Sequence, residues 1–394
     1  MMISKQSRRA ILSAFFACGF LSTAWIVHIP RIKGLLSLSD GQLGLCLWAA
    51  TLGLLLGMSI GGWMVERFYS QFVTGFAMIA LGIATILAVC SKSVVWLVLA
   101  LLPFGFFAGL LDVSMNSQAA AFEQRFRQAA MSSFHAFYSI GGLAGALAGA
   151  CFLALQTSPL IHALVISIPF IFWGGMIQQF LLPEQKSVSK KDFFISLPTL
   201  GLLPLALMAF TFFLAEGAIF DWAGVYLKTD IGVTTSAAGL GYGTFSLAMA
   251  IGRLFGDSWV ARLGTLSVFI FGALLGASGL VLACYVRNYA IAVFGFGLFG
   301  LGLANCVPLI FSAAAKHSSS GFGRSIASVA SAGYFGLFVG PPLIGQLAQR
   351  FTLPYALLAV AATIYGTLVL AKLGLGPRGL DQKRSRAAET MNIP

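Results

Sequence analysis

The sequence predicts an all-α polytopic membrane protein with twelve transmembrane helices in two pseudo-symmetric six-helix halves. Three observations lead to this fold class. The 394 residues are 58% hydrophobic and 9% charged, whereas soluble domains carry about 25% charged residues. Apolar stretches of membrane-spanning length recur along the chain, and a polar connection from Pro183 to Asp192 divides them near the midpoint. Short motifs also recur between the two parts.

Dividing the chain at its polar and turn-rich points gives twelve predicted spans of about 20 residues, the length that a helix needs to cross the hydrocarbon core. Residues 1–182 form an N-terminal bundle, residues 183–198 a cytoplasmic linker, and residues 199–394 a C-terminal bundle that ends in a short basic tail. In chain order, spans 1 to 12 are 10–29, 41–64, 72–90, 94–117, 132–155, 160–182, 199–227, 236–258, 265–284, 290–314, 325–348 and 355–373.

The basic residues predict the orientation of these spans. The formal net charge is +12, but the Lys and Arg residues are spread over short loops, which does not indicate a nucleic-acid partner. Short cytoplasmic loops carry an excess of Lys and Arg, so this distribution predicts that both termini are cytoplasmic. If the N-terminus is cytoplasmic, all but six of the 24 Lys and Arg residues lie on the cytoplasmic side. The six exceptions are Arg31, Lys33, Lys92, Lys228, Arg287 and Arg350.

The N-terminus fits two descriptions. Lys5, Arg8 and Arg9 precede an apolar run that contains the small-residue triplet Ser22-Thr23-Ala24, as in a signal peptide. An uncleaved first span is the preferred interpretation because it gives an even number of helices. The six cysteines lie in apolar runs without CxxC spacing, which predicts packing rather than disulfides or a metal site.

Three short motifs recur between the halves at nearly one offset, which is typical of the internal repeats of secondary transporters. Gly61, Val65 and Arg67 match Gly256, Val260 and Arg262 at an offset of 195 residues. The segment from Gly109 to Asp112 matches Gly302 to Asn305 at an offset of 193, and Tyr138 matches Tyr334 at an offset of 196. These repeats predict that the two halves share one architecture.

Two loop sequences resemble the major facilitator superfamily of secondary transporters. Gly62 to Arg67 after span 2, and Gly256 to Gly264 after span 8, are similar to the GxxxDRxGRR loop of that superfamily. Glu66 replaces the usual Asp, and the trailing Gly and basic pair are missing after Arg67. Three further segments resemble the MosC-like or YbjJ-like branch of the superfamily. They are His135 to Ser139, Ala215 to Gly217 with Asp221 and Trp222, and Gly340 to Gly345.

The resemblance implies a secondary active transporter in the bacterial inner membrane. It would move a small solute by alternating access, and we expect coupling to protons, a monomeric state and no cofactor. Substrate and direction stay open, as do two alternatives: a non-transporting receptor or scaffold with the same fold, and a drug or metabolite exporter. The sequence shows no nucleophile with a base, which argues against an enzyme. It also has no GxxxxGK[ST] run, which argues against an ATP-driven pump.

Acidic residues within apolar spans are the leading candidates for substrate binding or proton coupling. A carboxylate in a membrane span costs several kcal/mol, so it usually faces a bundle interior or a watery cavity. The resemblance implies that spans 1, 4, 7 and 10 line that cavity. Span 4 carries Asp112 and Asn116 on one helix face, and span 7 carries Glu216 and Asp221 about 140° apart. Glu216 is the leading site, with a structural carboxyl hydrogen-bonded to helix ends or serine as its alternative. Asp221 with Trp222 fits an outer cap or gate better than a coupling site, and Asp112 with Asn116 fits a cavity role and a structural role equally.

Four further residues are candidates for the same site. His135 and Tyr138, one turn apart at the start of span 5, suit a proton relay, or His135 forms a hydrogen bond at the helix start near Glu123. Asn305 precedes Pro308 in span 10, where a proline frees a backbone carbonyl and predicts an irregular helix. Trp25 lies near the outer end of span 1.

A charge cluster on the inner face is implied by the resemblance to the superfamily loops. Its members would lock the halves together in one conformational state, although simple topological anchoring is the alternative. The predicted inner gate consists of Glu66, Arg67, Arg253, Asp257 and Arg262.

Overall fold

The computed structural model describes residues 2–128, 130–183, 198–316 and 322–375, and helices make up most of these ranges. The first half contains α1 (Met2–Ile26), α2 (Ile29–Leu35), α3 (Asp40–Phe68), α4 (Ser70–Val89), α5 (Val94–Phe126), α6 (Met131–Ala154) and α7 (Pro159–Ile177). The second half contains α8 (Leu203–Thr229), α9 (Thr235–Leu263), α10 (Thr265–Tyr285), α11 (Tyr289–Leu303), α12 (Cys306–Lys316), α13 (Phe322–Arg350) and α14 (Leu353–Leu375).

The predicted fold class is confirmed. Eleven helical segments of the described chain are long and apolar enough to cross a membrane. The twelfth span is α9, which has 29 residues but a more polar sequence with Arg253, Asp257 and Arg262. Span 10, predicted over 290–314 with an irregularity near Pro308, is divided in the structure, because α11 ends at Leu303 and α12 begins at Cys306.

Helix capping distinguishes the two ends of the bundle, which we name the Asp40 end and the Arg67 end after the two termini of α3. Five helices that start at the Asp40 end, α3, α5, α7, α9 and α11, have a capping side chain that accepts a hydrogen bond from the backbone N–H three residues later, whereas the short α2 has none. The helices α4, α8 and α10, which start at the Arg67 end, have no side-chain cap. The capping residues are Ser39, Ser93, Ser158, Thr234 and Asn288.

Close backbone contacts repeat between the halves. A Cβ atom added to Gly141 of α6 would collide with the carbonyl oxygen of Phe16 on α1, and one added to Gly336 of α13 would collide with that of Phe210 on α8. Only glycine lets the helices approach this closely. The two pairs occupy matching positions, so the internal repeat seen in the sequence is also a repeat of packing.

The two halves meet along two helix pairs, α3 with α13 and α6 with α9. At the Asp40 end, a Cβ on Gly44 would lie 2.5 Å from the carbonyl oxygen of Pro341, and the rings of Trp48 and Phe338 lie 5.0 Å apart. The hydroxyl of Ser39 donates to Oε1 of Gln349 at 3.3 Å. This end of the interface is therefore closely packed.

Residues 184–197 and 376–394, which include most of the predicted linker and the basic tail, lie outside the described residues. The division of the chain at residues 183–198 therefore stays a prediction. The cysteines are free, and Cys18, Cys46, Cys284 and Cys306 are buried.

Candidate functional site

Glu216 lies in the middle of α8 and faces the other half of the molecule. Its carboxylate is close enough to interact electrostatically with the phenols of Tyr138 on α6 and Tyr242 on α9. Glu216 is half-buried rather than enclosed, although it sits in a helix whose neighbouring residues Ala215 and Gly217 are buried. This arrangement leaves a partly accessible acidic residue at the interface between the halves.

Asp112 and Asn116 lie on one face of α5, as their spacing predicted. Nδ2 of Asn116 donates to the backbone carbonyl of Asp112 at 2.9 Å and to its carboxylate oxygen Oδ1 at 3.2 Å. Asp112 is half-buried and interacts electrostatically with Tyr138 on its own half and with Tyr334 on α13 of the other half. The acid therefore also faces the interface between the halves.

The two acids and their tyrosine neighbours form one group, which we name the central polar cluster: Asp112, Tyr138, Glu216, Tyr242 and Tyr334. Asp112 and Glu216 come from opposite halves, and both interact with Tyr138. The cluster therefore brings ionisable side chains of both halves together at their interface.

A polar contact adjoins the cluster where α6 crosses α9. The hydroxyl of Ser246 donates to the backbone carbonyl of Ser139 at 3.0 Å, and the hydroxyl of Tyr242 interacts with Ser246 and with Thr23 of α1. Gly142 makes room for these groups, because a Cβ at that position would lie 2.9 Å from Oγ of Ser246. Sequence reasoning missed Thr23, Tyr242 and Ser246, since hydroxyl side chains are common in membrane helices and no motif distinguishes these three.

Asp221 and Trp222 lie further along α8 than Glu216. Asp221 is half-buried, and within the described residues no hydrogen bond is formed by its carboxylate. Trp222 is 0% exposed, and its indole Nε1 has no hydrogen-bond partner. The structure therefore places Trp222 in the packed core of the second half, while Asp221 keeps some accessible surface.

Trp25 is also enclosed, with 2% of its surface exposed and its ring 6.1 Å from that of Phe104. Close to it the sequence reasoning missed a histidine pair, because the two residues are 134 positions apart. Nε2 of His28 and Nδ1 of His162 lie 2.6 Å apart, and both side chains are buried. One neutral imidazole donates to the other in this pair.

His135 packs at the start of α6, with its ring 5.1 Å from that of Phe15 in an edge-on arrangement. It interacts electrostatically with Arg253 of α9, in the other half. Glu123 does not bond to His135; its Oε1 instead accepts from the backbone N–H groups of Ala130 and Met131 at 2.6 and 2.8 Å. The carboxylate thus caps α6, which has no other side-chain cap.

Asn305 lies at the break between α11 and α12, where an irregular helix was predicted. Its Nδ2 donates to the backbone carbonyl of Gly252 on α9 at 3.0 Å. Its amide also packs so closely against Gly256 that a Cβ there would collide with Oδ1 of Asn305. The side chain is half-buried and joins two helices of the same half.

The predicted inner gate residues lie at the Arg67 end. Glu66, Arg67, Asp257 and Arg262 are exposed, and Arg253 is half-buried. Among the described residues the only salt bridge joins Lys33 Nζ to Asp40 Oδ1 at 2.8 Å, at the opposite end. The predicted charge cluster therefore forms no salt bridge among the described residues, while the Asp40 end is packed.

Comparisons with known proteins identify the class to which this fold and site belong. The sequence profile of the Major Facilitator Superfamily matches residues 205–392. An MFS-type transporter of Yersinia pestis is 33% identical over 348 residues, which cover 88% of this chain and 90% of the relative. Membrane protein MosC of Rhizobium meliloti is 30% identical over 357 residues, or 90% of this chain and 86% of the relative. The chain belongs to the major facilitator superfamily, and it is a multi-pass membrane transporter.

Solved structures show the same fold. A bacterial homologue of the human lysosomal transporter Spinster, in an inward-facing and occupied conformation, aligns with a TM-score of 0.76 at 15% identity, over 93% of this chain and 96% of that one. The nucleoside transporter NupG aligns with a TM-score of 0.68 at 13% identity, over 95% of this chain and 98% of that one. At these identities the likeness concerns the fold.

Proposed function

We propose that the chain is a secondary active transporter of a small solute, that it works by alternating access, and that it is coupled to protons through Glu216 and Asp112. The observation that carries the proposal is the central polar cluster. It places one half-buried carboxylate from each half beside the same tyrosine, Tyr138. Ionisable groups inside a membrane bundle are expensive to maintain and usually mark a pathway for ions, protons or substrate.

The packing of the halves supports alternating access. The excess of Lys and Arg at the Arg67 end supports a cytoplasmic position for that end, and for both termini, under the positive-inside rule. The Asp40 end then faces outward, where Gly44 packs on Pro341 and Trp48 on Phe338. The arrangement has its outer side shut and its inner gate residues unpaired. A transporter needs a second state in which these relations are reversed.

The cluster residues have distinct proposed roles. Glu216 holds the coupling proton or a polar group of the solute, and Asp112 with Asn116 forms the matching site on the first half. The phenols of Tyr138, Tyr242 and Tyr334 supply hydrogen bonds, and His135 with Arg253 lies on the path toward the cytoplasm. Asp221 serves as an outer gate. Trp25, Trp222 and Asn305 hold the helices that carry these groups, because each is packed within its own half.

Formation of the inner gate belongs to the other conformational state. When the two halves approach each other at the Arg67 end, Glu66 and Asp257 can form ion pairs with the basic residues Arg67, Arg253 and Arg262. Ion pairs at this end would then replace the glycine contacts that close the Asp40 end.

A ligand screen tests the proposal first. Purified protein is heated with sugars, amino acids, organic acids and drugs at about pH 5.5 and about pH 7.5, since a specific ligand raises the unfolding midpoint by mass action. A hit is then tested for accumulation in proteoliposomes with an imposed proton gradient. Gradient-dependent accumulation is expected. Specific binding without any flux would support a receptor or scaffold that retains the fold, and efflux of amphipathic drugs would support an exporter.

A further inference from the structure

A pocket of about 200 Å³ lies on the outside of the first half, away from the central polar cluster. Gln6, Arg9 and Ala10 of α1 form one side, and Trp173 of α7 with Phe180, just after α7, forms the other. Gln6 and Arg9 are exposed. The pocket therefore opens between the first and last helices of the half, at the Arg67 end of the bundle.

The apolar wall of this pocket is fixed in place. The rings of Trp173 and Phe180 stack with their centroids 5.7 Å apart. Nε1 of Trp173 donates to the hydroxyl of Ser13 at 2.8 Å, and that hydroxyl donates to the backbone carbonyl of Ala10 at 2.7 Å. The polar atom of the indole is thus satisfied by the protein, so the rings present hydrocarbon surface to whatever occupies the pocket.

Aromatic side chains continue along the same seam between α1 and α7 toward the membrane interior. Phe170 lies 6.3 Å from Phe16 and 5.2 Å from Phe20, measured between ring centroids. Beyond the seam, Phe172 is 72% exposed, which is the expected state of a ring that faces acyl chains. An apolar track therefore leads from the pocket into the hydrocarbon region.

The polar side of the pocket carries positive charge that no acidic side chain pairs with among the described residues. Lys5 and Arg9 are exposed, and Nε of Arg8 is buried without a hydrogen-bond partner. Residues 1–39 contain no Asp or Glu, and within the described residues no salt bridge involves α1. A guanidinium beside an apolar track matches a ligand with an anionic head and a hydrocarbon tail.

We propose that this pocket binds an anionic phospholipid of the cytoplasmic leaflet. The phosphate contacts Arg9 and Gln6, and an acyl chain lies against Trp173 and Phe180. The leaflet follows from the orientation proposed above, while the pocket itself is independent of the transport site. Bound in this way, the lipid joins the two edges of the first half, α1 and α7, at the end that must move during transport.

Native mass spectrometry of the detergent-purified full chain tests this site with phosphatidylglycerol and phosphatidylethanolamine as probes. One cation near a membrane surface contributes about fivefold to affinity for an anionic lipid. Arg9→Gln should therefore lower the occupancy of phosphatidylglycerol about fivefold and leave that of phosphatidylethanolamine unchanged. Arg125→Gln is the matched control, because Arg125 is also an exposed arginine beside an aromatic ring, with its guanidinium 6.0 Å from the centre of Phe126.

Phe180→Ala tests the apolar side and should reduce the occupancy of both lipids, since the chain loses a wall that both share. Inorganic phosphate added alone should neither bind detectably nor displace phosphatidylglycerol. If Arg9→Gln and Arg125→Gln lowered the occupancy of phosphatidylglycerol equally, the effect would depend on overall charge, and the proposed site would be overturned. Equal binding of the two lipids by the unmodified protein, or displacement by inorganic phosphate, would overturn it as well.

Discussion

The turns that join α3 to α4 and α9 to α10 have the same backbone shape but a different residue at their centre. In the first half, Tyr69 has φ 65° and ψ 141°, and in the second half Gly264 has φ 80° and ψ 157°. Each backbone N–H bonds to the carbonyl four residues earlier, in Val65 and Val260, at 2.9 Å. This region of φ and ψ is open to glycine and costs other residues about 1–3 kcal/mol. The fold imposes the turn on both halves, and only one half has the residue that suits it.

A second comparison concerns Asp112 and Asn305, which occupy matching positions in the sequence repeat. Asn305 bonds across to Gly252 of a neighbouring helix, whereas the side-chain donor that Asp112 meets among the described residues is Asn116 of its own helix. Asp112 also interacts with Tyr334 across the interface between the halves. Asn305 thus joins two helices of its own half, whereas Asp112 interacts with the opposite half.

The largest effect is expected from Gly264→Ala. The added Cβ meets nothing within 4 Å, so the whole cost is conformational, about 1–3 kcal/mol. The midpoint of thermal unfolding in detergent should fall. Gly366→Ala is the control, since its Cβ also meets nothing within 4 Å but its helical backbone suits alanine, and it should raise the midpoint. A similar fall in both variants would contradict the account of the turn.

Tyr69→Gly should have the opposite sign from Gly264→Ala and a smaller size. Relief of the strained backbone stabilises the protein by about 1–3 kcal/mol, and loss of contacts of the half-buried ring offsets part of that gain. A higher unfolding midpoint is expected. A midpoint that falls by as much as in Gly264→Ala would show that Tyr69 is held there for its side chain.

Asn305→Ala should destabilise the second half by about 1 kcal/mol, because the carbonyl of Gly252 loses its side-chain donor. Asn116→Ala removes a bond within one helix only and should cost less. Thermal unfolding of both variants, measured side by side, checks the order. If Asn305→Ala instead left the midpoint unchanged and weakened ligand binding, Asn305 would be a solute contact, as first expected from the sequence.

The smallest effect concerns Asp230, which follows α8 at the Asp40 end. Burial, with a contribution from Asp40, raises the pKa of Asp230 above 3.8. The folded state therefore holds this proton more tightly than the unfolded state, and the free energy of unfolding falls as pH rises from about 4 through the raised pKa. Asp230→Asn should unfold at a slightly higher temperature than the unmodified protein at neutral pH, and the difference should shrink as pH falls toward 4. A difference that grows on acidification would contradict this.

The sequence predicted the helical architecture because membrane spans need long apolar runs, and that signal is local. It also predicted that Asp112 and Asn116 share a face, since the spacing of four fixes it. It did not predict the break at Ala304 and Asn305 within span 10, although Pro308 indicated an irregularity. At the break, Asn305 packs closely against Gly256, and a contact between residues so far apart in the chain leaves no local signal in the sequence.

The composition of the central polar cluster could be predicted only in part. Glu216 and Asp112 were found because an acid in an apolar span is unusual. Tyr242 and Tyr334 gave no such signal, and their place beside the acids follows from how α9 and α13 pack. The pairing of His28 with His162 likewise depends on tertiary structure. The roles assigned to these residues stay predictions until function is measured.

The central claim is that Glu216 couples proton movement to transport. The direct measurement uses proteoliposomes and a solute found by the ligand screen, and it compares uptake driven by a proton gradient with exchange of solute between equal concentrations. Glu216→Gln should abolish gradient-driven uptake and retain solute exchange, because the neutral side chain still allows the two halves to change conformation. Asp230→Asn, the same change at an acid that directly follows α8 and has no part in the proposed mechanism, should retain both activities. Gradient-driven uptake that survives in Glu216→Gln would contradict the account.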